Sequence, residues 1–268
     1  MEIHAQTIEL DEQPVFLLRA RTDDVPVLYL HGVPTSADDW LPFLREGGGV
    51  AVDLPGFGRS GKRGDLDFTA EGWARWLPRL LDALGIDRVR LCAHDWGAAG
   101  LLWAAREPHR VERAAVLNPA PLMAGVALPR ALRALAVPLV GEVGVGLATP
   151  RVLRRVLRRG IADGAEPEAR WFDDVGARFD QGSQRAVLRL ARGATTQARE
   201  EAGRELRTLE IPALVAWGMR DPWLAPVVGS AWAALLPQSE LVELPTAGHW
   251  PWLEEPALVA RVLAFLRP

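Results

Sequence analysis

Short apolar runs alternate with helix-like stretches along the first half of the chain. The apolar runs span residues 25–30, 50–52, 89–94 and 114–117. Between them lie the predicted helices 37–44, 69–84 and 96–107; the longest is amphipathic and is followed by Gly85, a common helix terminator. Repeated strand–helix alternation predicts a parallel sheet with helices on both faces.

The pattern changes in the middle of the chain. Residues 121–207 contain helical stretches and no convincing strand; one of them, 151–159, has apolar residues three and four apart, flanked by arginines. Alternation then resumes with predicted strands at 213–217 and 240–244 and predicted helices at 227–236 and 256–265. We therefore predict a core built from residues 1–120 and 208–268, with a helical insertion at 121–207.

Composition limits the classes of protein to consider. Of the 268 residues, 49% are hydrophobic and 24% charged, which is typical of a globular protein with a substantial core. The formal net charge of -3 argues against a nucleic-acid partner. The single cysteine, Cys92, excludes an internal disulfide. We see no signal peptide and no apolar run of the roughly 18 residues that a spanning helix needs, so we expect a cytoplasmic protein without a membrane partner.

Three polar residues follow predicted strands. Asp95 lies in Ala93-His94-Asp95-Trp96-Gly97, between a strand and a helix, where a nucleophile elbow or a helix N-cap belongs. Asp221 comes shortly after the strand 213–217, and His249 after the strand 240–244. Because parallel strands end at the same edge of a sheet, we expect these side chains to converge. The order nucleophile, acid, histidine favours catalysis over a capping role.

A fourth segment, His31-Gly32-Val33-Pro34, follows the first predicted strand. We expect the backbone N–H groups of Val33 and Trp96 to form an oxyanion hole beside Asp95. His31 is predicted to orient this loop, and His94 to have a structural role.

These motifs together resemble the α/β-hydrolase superfamily, from about residue 15 to the C-terminus. The resemblance rests on the segments 31–34, 53–60, 94–97 and 248–249. His94-Asp95-Trp96-Gly97 is similar to the elbow of the haloalkane dehalogenase and epoxide hydrolase branch. This resemblance implies an α/β-hydrolase fold: a mostly parallel sheet flanked by helices, with a helical cap inserted between strands six and seven. Residues 121–207 match that cap.

An aspartate at the elbow suits attack on a saturated carbon, since a carboxylate is already ionised at neutral pH. Attack would give an alkyl ester of Asp95, which water activated by His249 and Asp221 would hydrolyse. We expect a small apolar organic substrate and water, with no metal ion and no cofactor. Carbon–halogen bonds and epoxides both remain as substrate classes.

The two substrate classes need different helpers. Epoxide hydrolases of this branch use cap tyrosines, whereas Tyr29, the only tyrosine, lies in an apolar strand. A departing halide needs N–H donors, for which Trp96 and Trp171 are candidates. Further expected substrate contacts are Phe57, Phe172 and Trp223. We therefore favour a dehalogenase-like hydrolase over an epoxide hydrolase. A non-catalytic ligand-binding protein on the same fold is the alternative from another class.

Overall fold

A mixed sheet forms the centre of the protein. The computed structural model describes residues 1–22, 25–162, 165, 167 and 170–267, which form eight strands in the order β1-β2-β4-β3-β5-β6-β7-β8. The strands are β1 (Ile3–Leu10), β2 (Gln13–Ala20), β3 (Val27–Leu30), β4 (Gly49–Val52), β5 (Val89–His94), β6 (Val111–Leu117), β7 (Ala213–Gly218) and β8 (Ser239–Leu244). Strands β3 to β8 pair in parallel, as the alternating pattern predicts.

The antiparallel hairpin of β1 and β2 is an addition that the sequence analysis missed. Strand β2 also pairs antiparallel with β4, which places the hairpin at one edge of the sheet. Its turn residues Asp11 and Glu12 both have positive φ, 54° and 56°. Tight hairpin turns need this backbone geometry, and their usual signal is Asn-Gly or Asp-Gly. Asp11-Glu12 lacks the glycine of that signal. Most of β1 is exposed, so no alternation of apolar residues indicates this strand in the sequence.

Helices cover both faces of the sheet. Those outside the insertion are α1 (Leu41–Gly47), α2 (Ala70–Ala83), α3 (Gly100–Arg106), α10 (Val227–Leu235), α11 (Pro251–Glu254) and α12 (Ala257–Leu266). Short 3₁₀ turns at Ala37–Trp40 and Asp95–Ala99 begin two of the predicted helices, and a third spans Pro108–Arg110. Helix α2 begins where the Thr69 hydroxyl accepts the N–H of Gly72 at 3.0 Å, and it runs as one helix through Pro78.

Two apolar clusters fill the space between the sheet and these helices. Side chains alternate between them along each strand, so Leu28 and Leu30 pack in one cluster while Tyr29 packs in the other. The first cluster contains Trp73 of α2 and the second contains Phe43 of α1. This burial on both faces explains why the central strands read as continuous apolar runs.

The segment between β6 and β7 contains helices. They are α4 (Arg130–Ala136), α5 (Val140–Gly146), α6 (Pro150–Arg159), α7 (Trp171–Arg178), α8 (Gln181–Gly193) and α9 (Thr196–Leu206). Arg106 of α3 ties this segment to the core, since its guanidinium donates to Glu71 of α2 at 2.6 Å and to Glu205 of α9 at 2.9 Å. Within the described residues, no helix combines the length and the apolar character needed to cross a membrane.

Candidate active site

Asp95 lies on a sharp turn directly after β5. Its φ of 47° falls in the left-handed region, which non-glycine residues seldom adopt, and this turn projects its side chain above the sheet. Small neighbours make the turn possible. A Cβ at Gly97 would lie 2.4 Å from the carbonyl oxygen of Leu30, so only glycine permits this approach. The sequence motif around Asp95 therefore has the predicted elbow geometry.

The loop after β3 supplies a donor to Asp95. The backbone N–H of Val33 donates to Oδ2 of Asp95 at 3.1 Å, and the backbone N–H of Trp96 also acts on this carboxylate. Gly32 brings the loop close, because a Cβ there would lie 2.6 Å from the Cβ of Asp95. The two N–H groups predicted to act together thus converge on the Asp95 side chain.

His249 and Asp221 form a buried pair at the ends of β8 and β7. Nδ1 of His249 lies 2.6 Å from Oδ2 of Asp221, and the two residues are 4% and 9% exposed. The other Asp221 oxygen, Oδ1, accepts the backbone N–H groups of Trp223 at 2.9 Å and Leu224 at 3.0 Å. These donors fix the carboxylate, which in turn orients the imidazole ring.

The electrostatics of the three residues are linked. Burial raises the pKa of Asp95 above its ordinary value, although the charge of His249 and the N–H groups of Val33 and Trp96 oppose this. Burial would lower the pKa of His249, but Asp221 and then Asp95 outweigh it, so that pKa is raised. Burial would likewise raise the pKa of Asp221, yet the charge and hydrogen bond of His249 bring it below its usual range. Each group therefore influences the ionisation of the others.

Two further histidines hold the backbone around this site. Nε2 of His31 accepts the N–H of Leu54 at 2.9 Å, and its Nδ1 lies 2.7 Å from the carbonyl oxygen of Gly32. Nε2 of His94 lies 2.9 Å from the carbonyl oxygen of His249. Burial lowers the pKa of both His31 and His94, so these rings are neutral donors and acceptors. The contacts agree with the orienting and structural roles predicted for them.

Aromatic rings surround His249. The ring centroids of Trp223 and Trp250 lie 4.9 and 4.8 Å from that of His249, and both rings meet it edge to face. Trp171 of α7 packs edge to face on Trp250 at 5.2 Å, and Phe172 packs on Trp171 at 5.0 Å. Trp171, Phe172, Trp223 and Trp250 thus form one aromatic layer. Of these four rings, only Trp223 and Trp250 contact His249.

The prediction that Trp171 offers its N–H to a leaving group does not agree with this arrangement. Its Nε1 donates instead to Oδ1 of the buried Asp39 at 2.8 Å. Moreover, Trp96 and Trp171 pack in the two different apolar clusters. The indole N–H of Trp96 makes no hydrogen bond with any described residue, so the two predicted donors differ in availability.

Phe57 also lies away from the aromatic layer. It is fully buried and packs edge to face against His31 at 6.2 Å and Trp73 at 6.0 Å, in the same cluster as Trp96. Its position is that of a core residue beneath the loop of His31. The predicted substrate contact by Phe57 therefore finds no counterpart in these ring contacts.

A profile of the alpha/beta hydrolase family matches residues 27–262. The chain belongs to the α/β-hydrolase family. The match includes β3 to β8 and the segment between β6 and β7, so it covers the parallel part of the sheet, the elbow and the insertion of this α/β-hydrolase. The predicted fold class is confirmed.

Several known proteins are similar to this α/β-hydrolase, haloalkane dehalogenases among them. One from Agrobacterium fabrum is 39% identical over 115 residues, 40% of this chain and 38% of that protein. A dihydrolipoyllysine-residue acetyltransferase component of the acetoin cleaving system from Pseudomonas putida is 31% identical over 255 residues, 90% of this chain and 63% of that protein. The haloalkane dehalogenase DbeA from Bradyrhizobium elkani superimposes with a TM-score of 0.81 over 99% of this chain and 98% of its own, at 25% identity. This chain spans less than two thirds of the length of the first two relatives.

Asn118, Asp39 and Trp250 are residues of this α/β-hydrolase site that the sequence analysis did not assign. Asn118 comes directly after β6, and its polar side chain at a strand end was a usable signal. Trp250 directly follows the predicted catalytic His249, and this position was a usable signal. Asp39 offered no signal, because an acid near the start of a short helix is usually exposed.

Proposed function

We propose that this α/β-hydrolase is dehalogenase-like and cleaves a carbon–halogen bond through an alkyl ester of Asp95. One observation carries the proposal: a carboxylate stands at the elbow where its Oδ2 accepts the Val33 N–H, near the His249–Asp221 pair. A serine at that position would need a base to remove its proton before attack, whereas the carboxylate attacks directly.

The first half of the reaction uses Asp95 alone as nucleophile. The oxygen that does not accept from Val33, Oδ1, forms a bond to the substrate carbon, the carbon–halogen bond breaks, and the halide leaves with the electron pair. The oxygen that accepts from Val33 becomes the carbonyl oxygen of the ester. The backbone donors thereby hold the attacking group in one orientation.

The second half hydrolyses the ester. His249 takes a proton from water, and the water oxygen attacks Cγ of Asp95, giving an oxyanion held by the N–H groups of Val33 and Trp96. The bond from Cγ to the alkyl oxygen then breaks. The alcohol leaves with the proton from His249, and the carboxylic acid formed at Asp95 loses its proton to the solvent, so Asp95 is again a carboxylate. Substrate and water are converted to an alcohol, a halide and a proton.

Formation of the ester also prepares His249 for its role. Asp95 as an anion helps to raise the pKa of His249. Esterification removes that charge, so the pKa of His249 falls and the neutral ring becomes more abundant. The neutral form of His249, which acts as the general base, is therefore favoured when the ester of Asp95 is to be hydrolysed.

A groove of about 400 Å³ lies beside Trp96, the residue that follows Asp95. Its lining combines apolar residues, Trp96, Leu102, Leu122, Leu190, Ala194 and Ala198, with charged ones, Glu71, Arg106, Arg199, Glu201 and Glu205. Neither Asp95 nor His249 lines it, so in this proposal the groove is a neighbouring cavity that reaches the site only at Trp96.

Residues 121–207 act as the cap in this proposal, with 1–120 and 208–268 as the core. Leu190 of α8 and Ala198 of α9 line the same groove as Trp96. The carbonyl oxygen of Gly160, just after α6, accepts the backbone N–H of His249 at 2.7 Å. The insertion therefore contacts both the groove beside Trp96 and the loop of the proposed base.

The indole N–H of Trp96 is the proposed donor to the departing halide, since it has no hydrogen-bond partner among the described residues. Epoxide opening, the other substrate class, requires an acid for the ring oxygen. The hydroxyl of Tyr29 is fully buried and donates to the carbonyl oxygen of Gly48 at 3.0 Å, so it supplies no such acid. These contacts favour halide over epoxide chemistry.

Release of bromide and butanol from 1-bromobutane tests the proposal, with Asp95→Asn as the matched control and styrene oxide as the competing substrate. We expect equal amounts of bromide and alcohol from the wild-type protein and neither from the control. Diol formation from styrene oxide without bromide release would favour an epoxide hydrolase. Binding without product across a panel of both classes would favour the ligand-binding alternative.

A further inference from the structure

Asp39 is a buried carboxyl group outside the proposed catalytic set. It is 4% exposed and lies in the 3₁₀ turn Ala37–Trp40. Oδ2 accepts the hydroxyl of Thr35 at 2.5 Å, and Oδ1 accepts the indole N–H of Trp171 at 2.8 Å. Both oxygens thus have neutral donors, and among the described residues no basic side chain pairs with this acid. Burying a carboxylate without a basic partner is costly, and these two hydrogen bonds offset only part of that cost.

The hydrogen bond to Trp171 connects Asp39 with the aromatic layer around His249. Trp171 packs on Trp250 with an interplanar angle of 78°, and Trp250 packs on His249 with an angle of 89°. An indole ring in such a stack has little freedom once its N–H is bonded. Asp39 therefore holds one end of a chain of contacts that reaches the proposed base.

The charge of Asp39 also acts on His249. Burial raises the pKa of Asp39 to about 7, while Thr35, Trp171 and the charge of His249 oppose this and Asp38 adds to it. Asp39 in turn helps to raise the pKa of His249. The two groups favour each other's charged forms.

Other charged groups surround the turn. Asp38 is paired with Arg59 at 3.0 Å and with Arg178. A groove of about 230 Å³ on the outer side of Asp39 is also lined by Arg170 and Asp174. Asp38 thus pairs with two guanidinium groups, whereas Asp39 has no basic partner among the described residues.

We propose that Asp39 is a positioning residue of the site described above: it fixes Trp171, and through it the aromatic layer against which His249 lies, and its charge acts on His249. The catalytic meaning of this role rests on the proposed function, whereas the contact with Trp171 and the effect on His249 do not. Asp39 touches no reacting atom in this account.

Two variants separate the two effects. Asp39→Asn keeps an oxygen to accept from Trp171 and removes only the charge. Trp171→Phe keeps the charge and removes the donor. Asp174→Asn is the matched control, since Asp174 lines the same groove, is half-exposed and makes no hydrogen bond to Thr35 or Trp171 among the described residues.

The readout for the charge is an NMR titration of the imidazole of His249, assigned with a His249→Gln sample. We expect Asp39→Asn to lower the pKa of His249 and Asp174→Asn to leave it unchanged. The readout for positioning is the rate of bromide release. We expect Trp171→Phe to lower kcat roughly tenfold across the pH range, while Asp39→Asn retains kcat at high pH, where His249 is already neutral.

Each outcome decides a separate statement. A His249 titration in Asp39→Asn that matches the wild type overturns the effect of the charge. An unchanged kcat in Trp171→Phe, with a thermal transition like that of the wild type, overturns the positioning role. A wild-type protein without turnover overturns the proposed function instead, and the titration still judges the action of Asp39 on His249.

Discussion

Asn118 donates its side-chain amide to Oδ2 of Asp221 at 2.8 Å, the oxygen that also faces Nδ1 of His249. The Asn118 side chain is itself fixed, because its Oδ1 accepts the N–H of Gly218 at 2.8 Å. The end of β6 is thereby joined to the end of β7. The carboxylate of Asp221 has one oxygen bonded to backbone N–H groups and the other shared between Asn118 and His249, so its position depends on both strands.

Asp221→Asn should lower kcat for bromide release by about 10³- to 10⁴-fold, because the imidazole loses the partner that sets its tautomer and stabilises its charge. Asn118→Ala removes one donor only, and about a tenfold loss is expected. Steady-state rates at one pH measure both. A loss of no more than tenfold in Asp221→Asn would contradict the orienting role of Asp221.

Ester hydrolysis should slow as the pH is lowered through the pKa of His249, because only the neutral ring takes a proton from water. In the free protein, Asp221 and Asp95 raise that pKa above the ordinary value of 6.5 against the effect of burial. The charge of Asp95 is absent in the ester, so single-turnover hydrolysis should lose activity at a lower pH than that at which His249 titrates by NMR in the free protein. Equal midpoints for the two measurements would contradict this link.

The carboxylate of Asp53 should stabilise the fold. It is fully buried after β4 and accepts the N–H of Ala37 at 2.7 Å and Nε of Arg59 at 2.8 Å. Asp53→Asn breaks a buried ion pair and should lower the free energy of unfolding by about 3 kcal/mol in urea denaturation. Asp65→Asn, in the exposed pair with Arg63, is the control and should have no measurable effect. Equal effects of the two substitutions would show that the Asp53–Arg59 pair stabilises the fold no more than an exposed ion pair does.

Asp39 should make the stability depend on pH. Its pKa is about 7 in the folded chain against 3.8 for an ordinary aspartate, so between these values the folded state holds a proton that the unfolded state has lost. Stability is therefore highest below the lower value and is lost as the pH rises through 7. The free energy of unfolding of the wild type, relative to Asp39→Asn, should fall by up to about 4 kcal/mol from pH 4 to pH 8. A constant difference would exclude this behaviour.

The parts of the site that depend on local patterns could be predicted from sequence. Asp95, Asp221 and His249 each follow a buried apolar strand, and a parallel sheet gathers such positions at one edge. The Val33 N–H was predictable for the same reason. These residues need only the sheet to bring them together, and the sheet is specified by the runs of apolar residues.

Contacts between distant segments could not be predicted. Asp39 and Trp171 are 132 residues apart, and nothing in their neighbours indicates that one bonds the other. Trp96 and Trp171 pack in different apolar clusters, and the path of the insertion decides which cluster Trp171 joins. Sequence patterns identify the core strands well and the partners of cap side chains poorly.

Covalent capture of the substrate tests the central claim most directly. His249→Phe should react with 1-bromobutane and then stop, because no base remains to activate water. Intact-mass analysis should show the addition of one butyl group, and peptide mapping should place it on Asp95; the double variant Asp95→Asn/His249→Phe should stay unmodified. If wild-type protein releases bromide while His249→Phe gains no mass or carries the group on another residue, Asp95 is not the nucleophile.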